Sequence, residues 1–206
     1  MKILSKSIPI FPLSGTLLLP FGNLPLNIFE PQNISMVNYA LSHNKLIGMI
    51  QPKGKGLKEL FKIGCVGKIT SYTETNDNRY LITLKGLVKF EIQKEINHSE
   101  KFKLFNVKYD EFRSEFYKFN NNLFNKNLFI KKLKSYFEKR DLVIDWPSLE
   151  KIEDKLLIIT TAMIAPFKPN EKQALLECKN MNRLADTIIS LFDFSINQKY
   201  NYESIN

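Results

Sequence analysis

The first thirty-one residues constrain this chain most. Ile8-Pro9-Ile10-Phe11-Pro12-Leu13-Ser14-Gly15 runs into Leu17-Leu18-Leu19-Pro20 and ends at Asn27-Ile28-Phe29-Glu30-Pro31. Proline lacks a backbone N–H and drives the residue before it into extended conformations. Apolar runs cut this often can be neither one long helix nor one long strand. They predict short strands joined by tight corners.

Further strands follow. Leu46-Ile47-Gly48-Met49-Ile50-Gln51-Pro52 is a short apolar run, and Ile63-Gly64-Cys65-Val66-Gly67-Lys68-Ile69 a longer one. Ser71 to Glu74 alternates, Thr75-Asn76-Asp77-Asn78 is a polar turn, and Arg79 to Phe90 returns as the partner strand, which together predict a long antiparallel hairpin. Gly64, Gly67 and Gly86 inside these strands predict bulges that bend the sheet into a curved or barrel-like form. One helix interrupts the strands from after Pro31 to about Ser42. Its face is Ile34, Val37 and Leu41, with Met36 and Ala40 beside it.

From about Arg113 the period becomes helical. Asn127 is the expected N-cap of a helix over Leu128 to Arg140, with Leu133, Tyr136 and Phe137 as its core face. Asp145-Trp146-Pro147 signals a second start. Leu156 to Ile164 is apolar almost all round and reads as the most buried helix, stopped by Pro166. Asn170 and Gln173 are spaced like a capping box for Glu171 to Cys178. Asn180 is the expected cap of a last helix with the face Leu184, Ile188, Leu191 and Phe192, followed by a polar tail that frays after Ile196.

The opening, the run at Leu46–Pro52, the two central strands and the block Pro166-Phe167-Lys168-Pro169-Asn170-Glu171-Lys172-Gln173-Ala174-Leu175-Leu176-Glu177 together resemble, in order, the N-terminal, substrate-binding domain of the Lon protease family. Residues from about 95 to 150 match poorly, and Gln32-Asn33 follows Glu30-Pro31 where many relatives carry Arg-Tyr. The resemblance implies an α+β fold. Residues 1–115 would form a curved, β-rich pseudobarrel of PUA-like, Lon N-terminal type with one helix, and residues 116–206 a C-terminal α-helical bundle packed on it. A full Lon protease continues into ATPase and Ser–Lys protease domains. The sequence stops at Asn206 and carries no Gly-x-x-x-x-Gly-Lys-Ser/Thr loop. Gly54-Lys55-Gly56 reads as a turn. The expectation is a stand-alone bacterial form that is not an enzyme.

Composition narrows the remaining classes. With 44% hydrophobic residues in 206 the chain can build a core. It has no run of 18 apolar residues, so no transmembrane helix is expected. After Met1-Lys2-Ile3-Leu4 come Ser5, Lys6, Pro9 and Pro12 with no small-x-small cleavage site, so the chain is read as cytoplasmic. Cys65 and Cys178 stand far apart and read as buried reduced thiols. With His43 and His98 they match no zinc spacing, so neither metal nor other cofactor is expected.

Candidate chemistry is sparse. Ser14-Gly15 reads as a turn, without a Gly-x-Ser-x-Gly elbow. Glu74 and Asp77 read as solvated hairpin carboxylates. The net charge of +9 is mostly lysine, and a basic surface attracts polyanions. Lys131, Lys132, Lys134 and Lys139 are the candidate basic patch, although Phe129, Tyr136 and Phe137 on that helix have core spacing. The resemblance implies recognition of unfolded or tagged polypeptide, as an adaptor or holdase, with a protease on another chain as a further partner. The candidate peptide-binding surface is Leu17, Leu18, Leu19, Leu24, Phe29 and Glu30, with Glu30 at the positive end of the first helix. The same leucines would also suit a barrel core. Nucleic-acid or ribosome association, and a small ligand in the β-rich half, remain the alternatives.

Overall fold

The computed structural model describes residues 4–54, 59–109, 116 and 118–203, with side chains to residue 196. Lys55, Gly56, Arg113, the residues before Leu4 and most of the stretch around the expected 115/116 boundary lie outside the described residues. Two compact units are present: Met1–Arg113 with Pro166–Glu177, and Ser114–Ala165 with Cys178–Asn206.

The first unit is a bent sheet. Its strands are β1 (Ser7–Pro12), β2 (Asn23–Ile28), β3 (Leu46–Ile50), β4 (Ile63–Glu74), β5 (Tyr80–Ile96) and β6 (Lys103–Lys108). β1 pairs in parallel with β3, and the pairings β3–β4, β4–β5, β5–β6 and β6–β1 are antiparallel. These contacts close a circuit, so the barrel-like form is real. β2 stands outside the circuit and pairs with the first part of β5, from Asn23↔Lys85 to Ile28↔Tyr80. β6 takes the far end of β5. The interior holds Ile8, Ile10, Ile50, Val66, Val88, Phe90, Phe105 and Val107, contributed by alternate positions of several strands.

The glycines of β4 and β5 explain the bend. Register shifts fall between Val66 and Gly67 and between Ile69 and Ser71. Gly67 is paired with Gly86. The chain from Leu17 to Gly22 crosses over them. A Cβ on Gly67 would stand 2.8 Å from Leu18 Cδ2, and one on Gly86 would overlap the Leu19 carbonyl oxygen. The crossing is fastened by Phe21 N–H donating to Gly86 O (2.9 Å) and Gly86 N–H to Gly22 O (2.8 Å). It places Leu17, Leu18 and Leu19 at 2%, 1% and 0% exposure.

Helix α1 (Pro31–Ser42) has its start and stop as expected, but the buried face is Met36, Val37 and Ala40, with Ile34 and Leu41 only half-buried. A second helix, α5 (Pro169–Glu177), belongs to this unit, whereas the sequence pattern puts it with the helical half, 116–206. Two buried glutamines hold it. Gln51 Nε2 donates to Pro169 O (3.0 Å), and Gln173 Nε2 donates to Ile63 O (3.2 Å) and Glu177 Oε1 (2.7 Å). The predicted Asn170–Gln173 capping box is replaced by Glu171, whose carboxylate accepts from Lys168 N–H at 2.7 Å.

The second unit contains α2 (Lys126–Glu138), α3 (Trp146–Glu150), α4 (Asp154–Ile164) and α6 (Met181–Glu203). The α2 cap is Asn125, not Asn127: its side chain accepts from Leu128 N–H at 2.9 Å, and the helix starts two residues earlier. Asp145 and Asn180 cap α3 and α6, accepting from Ser148 N–H (3.3 Å) and Arg183 N–H (2.9 Å). Tyr136 packs on Phe192 (centroids 4.6 Å apart), Phe129 on Phe192 (6.3 Å) and Phe137 on Trp146 (6.2 Å), so the α2 rings are core. α4 is not buried all round: Leu157, Ile158, Ile159 and Ala162 are, while Leu156 and Ile164 are exposed. The helical backbone of α6 runs to Glu203, beyond the fray expected after Ile196.

Candidate functional site

The residues proposed for peptide binding separate into two sets. Leu17, Leu18 and Leu19 are core, because the crossing over Gly67 and Gly86 presses them into the barrel. They offer no surface. Leu24 is half-buried on β2. Phe29 and Glu30 stand on the surface, Phe29 at 61% exposure.

Phe29 and Glu30 line a groove with a cavity of about 310 Å³. The end of β1 supplies Phe11 and Pro12, the following loop Leu13 and Ser14, β2 contributes Leu26 to Ile28, and the start of α1 contributes Gln32 and Asn33. The walls are thus mainly apolar. The polar groups gather at the helix start: the Glu30 carboxylate accepts from Asn33 Nδ2 at 2.7 Å and from Gln32 Nε2 at 3.3 Å. Glu30 O accepts from Asn33 and Ile34 N–H, both at 2.9 Å. Glu30 is therefore an ordered acceptor at the positive end of α1.

β2 forms one wall, and among the described residues it pairs with β5 alone. Its other edge carries backbone groups of the kind an added strand can use. Pro25 fits such an edge, since a central strand needs every amide. Sequence reasoning missed Phe11 and Asn33 here. Alternation marks Leu26 as one-faced, but nothing in the pattern says that β1, β2 and α1 converge.

Two of the four lysines of the candidate basic patch are ion-paired. Lys132 is paired with Asp193, Lys134 with Glu150 (2.7 Å), and Lys139 reaches Ile196 O at 3.5 Å. Lys134 also lies 5.5 Å from the centre of the Trp146 ring. Lys131 stands exposed beside Glu138 and Glu150, which share its cavity. These charges build the helical unit more than they form a cationic face.

The weaker chemical candidates resolve as structure. Asp77 accepts from the Thr75 hydroxyl and pairs with Arg79 at 2.8 Å, which closes the β4–β5 turn. The Thr75 hydrogen bond is the main reason its carboxyl is held below the usual range. Cys65 and Cys178 are both buried. Burial pushes the Cys65 thiol up to about 12, so at neutral pH it is no nucleophile. No described helix is long and apolar enough to cross a membrane.

Comparison with known proteins agrees with this architecture. The family model of the ATP-dependent protease La (LON) substrate-binding domain matches residues 7–201. A Lon protease of Buchnera aphidicola is 25% identical over 92% of the chain, and Lon protease 2 of Sorangium cellulosum is 28% identical over 43% of it. The chain spans only 25% and 12% of those two proteins. Among solved structures, the N-terminal domain of a Mycobacterium avium complex Lon protease superposes with a TM-score of 0.67 at 14% identity, covering 91% of this chain and 98% of that one. A Lon N-terminal domain protein from Xanthomonas campestris gives 0.63 at 17%, covering 89% and 97%.

Proposed function

The chain belongs to the family of Lon substrate-binding domains, and on that premise we propose that it is a non-enzymatic, cytoplasmic polypeptide-binding protein with an adaptor or holdase role. Its clients are extended segments of unfolded or tagged proteins, which it holds for a protease on another chain. One observation carries the reading. The apolar groove of β1, β2 and α1 is headed by Phe29, a ring left 61% exposed, and is walled by a strand with an open edge. An extended client adds main-chain hydrogen bonds along β2 and buries alternate apolar side chains against Phe29 and Leu26.

The test is fluorescence anisotropy with a permanently unfolded model protein and with a short, uncharged apolar peptide. Covering the exposed part of a phenylalanine contributes on the order of 1–2 kcal/mol. Phe29→Ala is therefore expected to weaken binding about five- to thirtyfold, with the circular dichroism spectrum unchanged. Wild-type protein that ignores unfolded chains would end the proposal, as would a Phe29→Ala variant that binds them equally well.

A further inference from the structure

A second concave surface on the β-rich unit has a different chemistry. It is an open groove of about 910 Å³ at the end of α1, lined by His43, Lys45, Lys68 and Lys85 with Leu46 and Leu87, and its lining contains no carboxylate. Lys68 and Lys85 are cross-strand partners on β4 and β5, so both lie on one face of the sheet. Leu46 of β3 partners Lys68 in turn, which puts an apolar residue in the same row.

Like charges directly opposite each other destabilise a strand pair. Among the described residues no acidic group relieves this one, and the Lys68 and Lys85 side chains make no ion pair. Lys45 adds a third charge from the turn after α1, at φ 58°, where glycine is the usual helix terminator. Its place beside the C-terminus of α1 has an ordinary structural reason. That reason does not extend to Lys68 and Lys85. Lys132 and Lys134 of α2, by contrast, are paired with carboxylates. At this groove three lysines stand together with no carboxylate in the lining.

We propose that this groove binds an acidic, extended polypeptide segment in which carboxylates alternate with apolar residues. In such a strand the carboxylates recur every second residue, about 6.5–7 Å apart, on one face. They meet Lys68, Lys85 and Lys45, while the intervening apolar side chains lie on the other face of the strand. A nucleic-acid strand fits less well, because no Phe, Tyr or Trp lines the groove to stack a base, and the His43 ring is already stacked on Tyr39, 4.1 Å away. The proposal rests on the polypeptide-binding reading but uses a separate surface, so the groove would select clients by charge while the Phe29 groove selects by hydrophobicity.

The test uses the whole chain and three fluorescent probes: an alternating Leu-Asp peptide, its Leu-Gln counterpart and a single-stranded RNA of similar length. Wild-type protein should bind the acidic peptide more tightly than the neutral one, and the difference should shrink as salt rises from about 50 to about 500 mM. Each lysine removed should weaken the acidic peptide about two- to fivefold. Lys68→Gln/Lys85→Gln should therefore lose about tenfold and leave the neutral peptide unchanged. Should that variant misfold, Lys45→Gln in the turn serves alone, with a single step expected. Phe29→Ala should do the reverse, weakening the neutral peptide most. Equal binding of the two peptides, an unchanged affinity in the lysine variants, or a preference for RNA overturns the proposal. Loss of the Phe29 effect alone refutes only the apolar groove.

Discussion

Gly86→Ala is the sharpest test of the crossing that closes the barrel. The added methyl overlaps the Leu19 carbonyl oxygen, a backbone atom that cannot rotate away. To make room, the chain from Leu17 to Gly22 must lift. Lifting breaks the hydrogen bonds Phe21 N–H to Gly86 O and Gly86 N–H to Gly22 O, which contribute about 0.5–1.5 kcal/mol each. It also exposes part of a leucine that is now fully buried, at roughly 1 kcal/mol. Alanine offsets about 0.4–1 kcal/mol by restricting the unfolded chain. The net loss is about 2–3 kcal/mol, and with a urea slope near 2 kcal/mol per molar the midpoint falls by about 1 M. Gly15→Ala is the control. Gly15 has φ +72°, and a Cβ placed there would meet nothing within 4 Å, so it loses only about 1 kcal/mol of backbone preference. Circular dichroism follows the sheet, while Trp146, in the second unit, reports that unit separately. Amide exchange at Phe21 and Gly86 should accelerate in the Gly86 variant alone. If Gly86→Ala shifts the midpoint no more than Gly15→Ala does, the crossing is not what shapes the barrel.

Two further outcomes follow from buried polar groups. Gln51, 2% exposed, donates to Pro169 O and accepts from Gly15 N–H; Gln51→Leu should cost about 1–2 kcal/mol and speed amide exchange across α5. For Cys65 the folded thiol lies near 12 against 9.0 when unfolded, so above pH 9 the unfolded state has released the proton that the folded state keeps. Stability must then fall as pH rises, and at pH 10.5 the loss is roughly 2 kcal/mol. Urea midpoints measured at pH 8 and pH 10.5 should show this loss in the wild type and a correspondingly smaller one in Cys65→Ala.

The punctuation of the sequence made the strands, the β4–β5 hairpin and the start of α1 legible, since Pro and Gly act locally. Burial was harder. Leu17, Leu18 and Leu19 suit surface and core equally, and only the path of the chain over Gly86 decides between them. The capping errors have a similar origin: Asn125 and Asn127 are both good caps by residue type, and it is the Asn125 side chain that accepts from Leu128 N–H. Lys68 and Lys85 are seventeen positions apart in the sequence and only strand register makes them neighbours. The same holds for Phe11, Leu26 and Phe29 around the groove. Lys132 and Lys134 looked cationic because their acids, Asp193 and Glu150, come from other helices.

The placement of α5 also governs the order of events on the ribosome. The barrel strands are finished by Lys108, yet the helix that Gln51 and Gln173 fasten to them is translated only after the whole of Ser114–Ala165. At about 5–20 residues per second, several seconds separate the last strand from that helix. During that interval Gln51 lacks the Pro169 carbonyl and Ile63 O lacks the Gln173 amide, the partners that close the barrel's last polar contacts with α5.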